Sequence, residues 1–222
     1  MNISQPIINN IVQQGMLPLF YYEDAEVSLE IIRTLYRAGI RVIEYTNRGP
    51  AALENFKFLK KAQREEMPGL HLGIGTIKTG QEAHNFIVAG ADFIISPIVN
   101  PAVAKITNES GLIWCPGCMT PTEIYLAHKN GAALVKLFPA NILGIGFMGA
   151  VKELFPGKLF MPTGGVEMNA GNINEWFKAG VCAVGMGSKL ITSDVLTQKL
   201  YQDLYVNTIE ALKLVQAARQ TN

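Results

Sequence analysis

The chain has 222 residues, of which 49% are hydrophobic and 17% are charged, with a formal net charge of +1. This composition predicts a large buried core and excludes a nucleic-acid-binding or polyanion-binding surface, because no basic run is longer than Lys60-Lys61. Residues 1–15 lack the features of a signal peptide, and the apolar stretch 137–151 is too short for a membrane span, so we expect a soluble cytoplasmic protein.

Short β-rich runs alternate along the chain with segments of helical periodicity. The predicted strands are Met16–Tyr21, Arg41–Thr46, His71–Thr76, Phe93–Pro97, Leu112–Gly117, Leu134–Ala140, Leu159–Gly164 and Cys182–Ser188. Helical segments lie between them, such as Ala25–Ala38, Ala51–Glu66, Gly80–Ala89 and Thr122–Asn130. Glycine follows several of these segments, where it supplies the left-handed conformation that ends a helix.

Eight strand–helix units with mostly apolar strands indicate parallel strands covered by helices. Eight such units in a chain of this length favour a (β/α)8 TIM barrel, and we expect residues 1–222 to form one domain. Ile7–Gln14 is predicted to be a short helix that closes the barrel bottom, and Gln198–Arg219 a long C-terminal helix. A doubly wound sheet is the alternative, but no G-x-G-x-x-G turn follows the first predicted strand.

The second and third predicted strands end in polar residues, where the chemistry of a barrel lies. Alternation along the second strand places Glu44 and Thr46 inside the barrel, where a carboxylate needs a partner. Arg48 follows and can bind a carboxylate through its forked donors, so an internal Glu44–Arg48 salt bridge is the structural alternative to a functional role. Thr76 ends the third strand and offers a hydroxyl group.

Cys115 and Cys118 have the C-x-x-C spacing of redox centres and of half zinc sites. Neither Cys182 nor the three histidines supply further ligands at a fitting spacing, so no metal site is expected. We interpret the pair as one cysteine that points into the packing and one at a strand end.

Lys136 is the only charged residue between Asn130 and Lys152, and it lies in an otherwise apolar predicted strand. A lysine in that position must be exposed at the strand end, paired or neutral. Burial disfavours the charged form, and a neutral amine in an apolar pocket is a nucleophile suited to forming a Schiff base with a carbonyl substrate. A snorkelling or salt-bridged lysine is the structural alternative.

Glycine-rich turns follow the seventh and eighth predicted strands. The first contains Gly164 and Gly165, and the second contains Gly187 and Ser188. Turns after these two strands bind phosphate in many barrels through backbone N–H groups and a helix N-terminus. Together they predict a phosphate site, to which Lys189 can add a charge.

This set of residues, in this order, resembles the 2-keto-3-deoxy-6-phosphogluconate (KDPG) aldolase family, which includes 4-hydroxy-2-oxoglutarate aldolases. The resemblance covers about residues 5–195. Its motifs are GIRVIEYTNR at 39–48, GIGT at 73–76, ISP at 95–97, PG at 116–117, LVKLFPA at 134–140, PTGG at 162–165 and GMGS at 185–188. The Glu-x-Thr-x-Arg and Lys-x-Phe-Pro-Ala elements are the specific ones.

The resemblance implies a class I aldolase without a metal or cofactor, which acts on pyruvate and a phosphorylated 2-keto acid and forms a homotrimer. Lys136 would form the Schiff base, and Glu44 would be the general acid/base. The other implied contacts are Arg48 and Thr76 with the substrate carboxylate, Thr163 with the pyruvyl group, Pro97 and Phe138 with the pocket wall, and Gly164, Gly165, Gly187 and Ser188 with the phosphate.

The chain departs from the family pattern at three positions that bear on the distal half of the substrate. Gly49 stands where threonine is common, Asn141 where some members have an acidic residue, and Lys189 where a bulky residue often follows the serine. Two alternatives to the aldolase are considered. A phosphate-binding barrel isomerase, epimerase or decarboxylase would keep the phosphate site at Gly164, Gly165, Gly187 and Ser188, here called the phosphate cradle, but would not form a Schiff base. A non-catalytic barrel would only bind a metabolite.

Overall fold

The structure is a computed structural model that describes residues 4–220, and these form eight parallel strands alternating with helices. The strands are β1 (Met16–Phe20), β2 (Val42–Thr46), β3 (His71–Gly75), β4 (Phe93–Ser96), β5 (Ile113–Cys118), β6 (Leu134–Leu137), β7 (Leu159–Pro162) and β8 (Val184–Met186). The helices are α1 (Ser4–Gln14), α2 (Ala25–Arg37), α3 (Ala52–Glu66), α4 (Gly80–Val88), α5 (Pro101–Glu109), α6 (Pro121–Lys129), α7 (Ala140–Leu154), α8 (Ala170–Ala179), α9 (Ser193–Gln198) and α10 (Tyr201–Gln220).

The strands form a nearly closed barrel. Their order in the sheet is β7-β6-β5-β4-β3-β2-β1-β8, so every strand lies beside its neighbour in sequence. A parallel bridge between Thr163 and Gly185 connects the two edges. The predicted (β/α)8 TIM barrel is confirmed, and the doubly wound alternative is wrong because its strand order would reverse at a switch point. The predicted single domain also includes residues 1–3 and 221–222, which lie outside the described residues.

The sixth strand is shorter than the predicted Leu134–Ala140. It ends at Leu137, because Pro139 has no backbone N–H to continue the ladder and α7 begins at Ala140. The backbone N–H groups of Ala140 and Asn141 donate to the carbonyl oxygens of Thr163 and Gly164, each at 2.9 Å. The start of α7 is therefore attached to the turn that follows β7.

The predicted C-terminal helix Gln198–Arg219 corresponds to α10, which begins three residues later, at Tyr201, because the shorter α9 ends at Gln198. Lys199, with a φ of 57°, takes the left-handed conformation that ends α9. At the other end of α9, the Thr192 side chain accepts a hydrogen bond from the backbone N–H of Val195 at 3.2 Å. Within the described part of the chain, no helix is both long enough and apolar enough to span a membrane.

Two apolar layers surround the strands. One lies between the strands and the outer helices, and the other fills the barrel interior. The interior layer contains side chains of the strands, such as Leu17 and Phe93, packed against Ile7, Ile8 and Ile11 of α1. Helix α1 therefore closes the N-terminal end of the barrel, which leaves the C-terminal end for the polar residues.

A buried ion pair connects the helical layer to the strands. Lys60 of α3 lies 2.7 Å from the Asp92 carboxylate, and Asp92 also accepts a hydrogen bond from the backbone N–H of Leu72 at 2.7 Å. Burial lowers the pKa of Lys60, and the charge of Asp92 opposes that shift. Asp92 is 27% exposed, so water still reaches this pair.

Candidate active site

Lys136 of β6 and Glu44 of β2 meet inside the barrel, on strands that are separated by three others in the sheet. The Lys136 Nζ atom lies 3.7 Å from Glu44 Oε1, and the two side chains are 6% and 1% exposed. This separation is within ion-pair range but longer than a hydrogen bond. The Glu44–Arg48 salt bridge considered from the sequence is not formed, since Glu44 pairs with Lys136 and Arg48 lies exposed at the barrel rim.

Space for the Glu44 carboxylate comes from glycine in the neighbouring strand. A Cβ atom at Gly75 of β3 would overlap the carboxylate, and one at Gly73 would overlap the ring of Phe93. Opposite them, Gly117 of β5 lies level with Lys136, and a Cβ atom there would overlap the carbonyl group of Pro97. Close approach of side chain and backbone around the ion pair therefore requires glycine at these positions.

Several buried side-chain oxygen atoms of the barrel make no hydrogen bond. Both carboxylate oxygens of Glu44 and the hydroxyl oxygens of Thr46 and Thr163 are buried without a hydrogen bond among the described residues. Leaving one such group unpaired costs about 1–3 kcal/mol. Unpaired buried groups of this kind, one of them on the ion-paired Glu44, are typical of a site that binds a polar ligand.

Phe138 covers the lysine from the side of the barrel mouth. Its ring centroid lies 5.2 Å from Lys136 Nζ, a cation–π distance. Its backbone N–H donates to the carbonyl oxygen of Cys118 at 3.1 Å, which continues the β5–β6 pairing by one residue. The lysine is therefore enclosed by Glu44 on one side and an aromatic ring on another.

A cavity of about 310 Å³ opens at the C-terminal ends of the strands. It brings together seven of the residues selected from the sequence: Arg48, Phe138, Thr163, Gly164, Gly165, Gly187 and Ser188. Lys136 and Glu44 are not part of its wall and lie deeper, preceding Phe138 and Arg48 along their strands. Thr76 and Pro97, which directly follow β3 and β4, also lie outside the cavity wall.

The glycine-rich turns form one side of this cavity. Gly164 and Gly165 both have positive φ angles, of 90° and 83°, which favour glycine. A Cβ atom at Gly165 would also overlap Asn141 at the start of α7. Lys189 lines the cavity beside Ser188, and its Nζ atom lies 3.0 Å from Glu167 Oε1 in a half-exposed ion pair of the kind that contributes about 0–1 kcal/mol.

Thr76 has an unusual backbone conformation. Its φ angle is 63°, which is rare for a β-branched residue and costs on the order of 1–3 kcal/mol. Hydrogen bonds hold its neighbours on both sides: Gly75 O accepts from Asn47 N at 2.9 Å, and Ile77 N donates to Ile95 O at 3.2 Å. The strain therefore lies at the end of β3, at a residue that the sequence marked as a candidate carboxylate ligand.

The two cysteines of the C-x-x-C pattern lie on opposite faces of β5. Cys115 belongs to the barrel interior and Cys118 to the layer under the helices, because a spacing of three residues along a strand reverses the side-chain direction. All three cysteines are free. Burial raises the pKa of the Cys115 thiol well above its usual range, and it raises those of Cys118 and Cys182 to about 12. The thiols are therefore protonated at neutral pH.

Tyr21 is a cavity residue to which sequence reasoning assigned no role. It follows β1 and lines the cavity together with Leu19 and Phe20. The available signal was Gly49, a departure from the family pattern, because a Cβ atom at Gly49 would overlap the Tyr21 hydroxyl. That contact joins two different strand ends, so the sequence alone did not reveal it.

The chain is similar in sequence to known aldolases. A family model described as KDPG and KHG aldolase matches residues 7–206. A 2-dehydro-3-deoxy-phosphogluconate aldolase of Treponema pallidum is 35% identical over 155 residues, 69% of this chain and 72% of that protein. A probable 2-dehydro-3-deoxy-6-phosphogalactonate aldolase of Rhizobium meliloti is 29% identical over 189 residues, 85% of this chain and 82% of that protein.

Solved structures give the same result. A KDPG aldolase from Legionella pneumophila, with pyruvate captured at low pH as a covalent carbinolamine intermediate, superimposes with a TM-score of 0.84 at 25% identity. The superposition covers 94% of this chain and 98% of that one. The likeness therefore includes the whole barrel and not a local motif.

The buried ion pair generates a stability prediction. Lys136→Met leaves the Glu44 carboxylate buried without its cation, and we expect the free energy of unfolding to fall by on the order of 3–5 kcal/mol. Adding Glu44→Gln removes the stranded charge and should recover most of that loss. Urea unfolding followed by circular dichroism measures both changes.

The matched control is Lys60→Met. It leaves Asp92 partly exposed and still bonded to the backbone of Leu72, so its loss should be clearly smaller. Equal losses for the two lysine variants, or strict additivity in the double variant, would contradict the coupling of Lys136 and Glu44.

Proposed function

The chain belongs to the KDPG and KHG aldolase family and is an aldehyde-lyase, and on that premise we propose a class I aldolase that forms a Schiff base. Its substrate is a 2-keto-3-deoxy-6-phospho sugar acid, cleaved to pyruvate and glyceraldehyde 3-phosphate, with 4-hydroxy-2-oxoglutarate as a second substrate. The observation that carries the proposal is the buried pair of Lys136 Nζ and Glu44 Oε1 at 3.7 Å, in which neither carboxylate oxygen of Glu44 makes a hydrogen bond.

Covalent bond formation begins at Lys136. The amine attacks the C2 carbonyl carbon of the 2-keto acid, and loss of water from the resulting carbinolamine gives an iminium ion. Glu44 is within reach to accept the proton that the ammonium must release before attack. The covalent carbinolamine captured with pyruvate in the Legionella pneumophila aldolase is the species that such an attack produces, which supports this step.

Carbon–carbon cleavage uses the iminium as an electron sink. Glu44 returns to its carboxylate form by giving its proton to the departing water, and it then removes the proton of the C4 hydroxyl. The C3–C4 bond breaks, the aldehyde is released, and the electron pair moves into an enamine. The protonated Glu44 then donates to C3, and hydrolysis of the iminium frees pyruvate and Lys136. No metal or cofactor is needed in this sequence, because the iminium supplies the electron withdrawal.

Substrate binding divides between two ends of the site. We assign the pyruvyl end to Arg48, Thr76 and Thr163, which can hold the carboxylate and the keto carbon region, with Pro97 and Phe138 as neighbouring wall. We assign the phosphate end to Gly164, Gly165, Gly187 and Ser188. Fixing both ends orients the C2 carbon over the lysine, which lowers the entropic part of the barrier.

Of the alternatives, a phosphate-binding barrel isomerase, epimerase or decarboxylase would use the phosphate cradle without the lysine. Such enzymes often place Asp or His at the strand ends, and neither residue type is among the described residues that line this cavity. A non-catalytic barrel would have no use for a buried lysine whose carboxylate partner makes no hydrogen bond. Both alternatives are therefore less well supported than the aldolase.

We also propose a cytoplasmic homotrimer. Free cysteines favour a reducing compartment. Ile98 after β4, Met119 after β5, and Tyr125 and Leu126 on α6 are exposed apolar side chains from consecutive parts of the barrel. Apolar side chains gathered in this way are common at interfaces between subunits.

Pyruvate with borohydride tests the nucleophile. We predict one reduced pyruvyl group at Lys136, located by peptide mass mapping, and none in Lys136→Ala. The matched control is Lys158→Ala. Burial lowers the pKa of Lys158, but this residue precedes β7 at the opposite end of the barrel, so labelling at Lys136 should persist in this variant. Labelling that is undiminished in Lys136→Ala would refute the assignment.

A second prediction separates proton transfer from binding. Glu44→Gln should lower kcat by roughly 10²–10⁴-fold, the usual contribution of general acid–base catalysis, and should stop exchange of the pyruvate methyl protons with deuterium oxide. Arg48→Ala should mainly raise KM, because Arg48 is assigned to the substrate carboxylate and takes no part in proton transfer. Normal methyl exchange in Glu44→Gln would count against its proposed role.

The cradle predicts a preference for phosphorylated substrates. Each charge-assisted hydrogen bond is worth on the order of 1.5–3 kcal/mol, so two such bonds should favour the phosphorylated six-carbon acid over 4-hydroxy-2-oxoglutarate by roughly a hundredfold or more in kcat/KM. Ser188→Ala should reduce this ratio and leave kcat/KM for the unphosphorylated acid unchanged. Equal kcat/KM for the two acids in the unmodified enzyme would mean that the cradle binds another group.

Assembly is tested by light scattering, where the trimer predicts three times the mass of one chain. Tyr125→Glu combined with Leu126→Glu should lower that mass by placing charges in the interface. Val206→Glu is the matched control, since Val206 is similarly exposed but lies on α10, away from the apolar set. Monomer mass for the unmodified protein would overturn the proposal.

A further inference from the structure

Tyr21 is the polar cavity residue that the mechanism leaves without a role. The polar side chains in the cavity wall are those of Tyr21, Arg48, Thr163, Ser188 and Lys189. Arg48 and Thr163 belong to the pyruvyl end, and Ser188 and Lys189 to the phosphate end. The rest of the described wall consists of glycine and apolar side chains, so within it Tyr21 is the residue that offers a polar group to the carbons between the two ends.

The Tyr21 ring is held by a rigid aromatic neighbour. Its centroid lies 5.7 Å from that of Tyr45, with 49° between the ring planes. Tyr45 is fully buried, and its hydroxyl donates to the carbonyl oxygen of Tyr22 at 2.8 Å and accepts from the Asn55 amide at 3.2 Å. A side chain supported in this way loses little freedom when it binds a ligand.

Gly49 makes room for the Tyr21 hydroxyl. A Cβ atom at Gly49 would overlap the hydroxyl oxygen and the nearest ring carbons of Tyr21. Gly49 does not have a positive φ angle, so its backbone would accept another residue and only the space requires glycine. The tyrosine hydroxyl thus occupies the volume beside Arg48 that any side chain at position 49 would fill.

We infer that Tyr21 selects the aldehyde half of the substrate, through a hydrogen bond from its hydroxyl group to a carbinol hydroxyl between the new C–C bond and the phosphate. This inference rests on the proposed function and extends it to a residue that recognises the hydroxylated carbon chain. Tyr21 is a binding residue here and takes no part in the formation of the iminium.

The test is condensation of pyruvate with two aldehydes. Glyceraldehyde 3-phosphate carries a 2-hydroxyl group, and 3-oxopropyl phosphate is the same molecule without it. Tyr21→Phe keeps the ring against Tyr45 and removes only the hydroxyl. We expect kcat/KM for glyceraldehyde 3-phosphate to fall by about three- to tenfold, the range for one neutral hydrogen bond, with kcat/KM for the deoxy aldehyde unchanged.

Two further variants sharpen the comparison. Tyr22→Phe is the matched control, because the side chain of Tyr22 does not line the cavity, and both aldehydes should react as in the unmodified enzyme. Gly49→Ala displaces the Tyr21 ring and should also lower kcat/KM more for the hydroxylated aldehyde than for the deoxy one. Unchanged kcat/KM for both aldehydes in Tyr21→Phe, or an equal fall for both, would overturn the inference.

Borohydride labelling separates this inference from the function on which it rests. Tyr21→Phe should be labelled by pyruvate at Lys136 to the same extent as the unmodified enzyme. If the unmodified enzyme is labelled but Tyr21→Phe does not discriminate between the aldehydes, only the role of Tyr21 is wrong. If the unmodified enzyme is not labelled, the Schiff-base proposal itself fails.

Discussion

The ion pair of Lys136 and Glu44 is the constraint on which the rest of the site depends. Removing two charges from water costs several kcal/mol per ion, and at 3.7 Å the pair lacks the short hydrogen bond that would offset much of that cost. The barrel provides the enclosure by placing β2 and β6 opposite each other, and glycine at positions 75 and 117 lets neighbouring groups approach closely. The free energy of unfolding is therefore lower than it would be with apolar side chains at these two positions. Because the two charges are not fully hydrogen-bonded to each other, they are available to bind a ligand.

Much of this architecture follows from local pattern in the sequence. Eight apolar runs separated by helical segments predict the barrel. Each helix buries its apolar face against the strands, and a closed ring lets all eight strands pair in the order of the sequence. Alternation along β2 predicts that Glu44 points inward, since the side-chain period of a strand is two residues. Lys136 was identifiable because an isolated cation in an apolar strand must be compensated by something in the fold.

Other features depend on contacts that sequence spacing does not reveal. Whether Glu44 pairs with Arg48 or Lys136 is decided by the distance across the barrel, and the sequence left the first pairing open. The space shared by Gly49 and Tyr21 joins residues from two strand ends, so neither residue alone signals it. The end of β6 and the end of α9 at Lys199 are set by local sequence. In each case a turn forms where strand pairing or helix could have continued, and the periodicity of apolar residues does not show which of the two is more stable.

Closure of the barrel by α1 has a kinetic consequence. With Ile7, Ile8 and Ile11 packed into one end, the amine communicates with solvent through the mouth beneath Phe138. In the mechanism proposed above, the aldehyde and the water that hydrolyses the iminium would both pass through this mouth. Because the pyruvyl group would be bonded to Lys136 and the aldehyde would not, the aldehyde would leave first, and in the reverse direction pyruvate would bind first. One closed end thus gives both products the same exit, and the covalent bond sets their order.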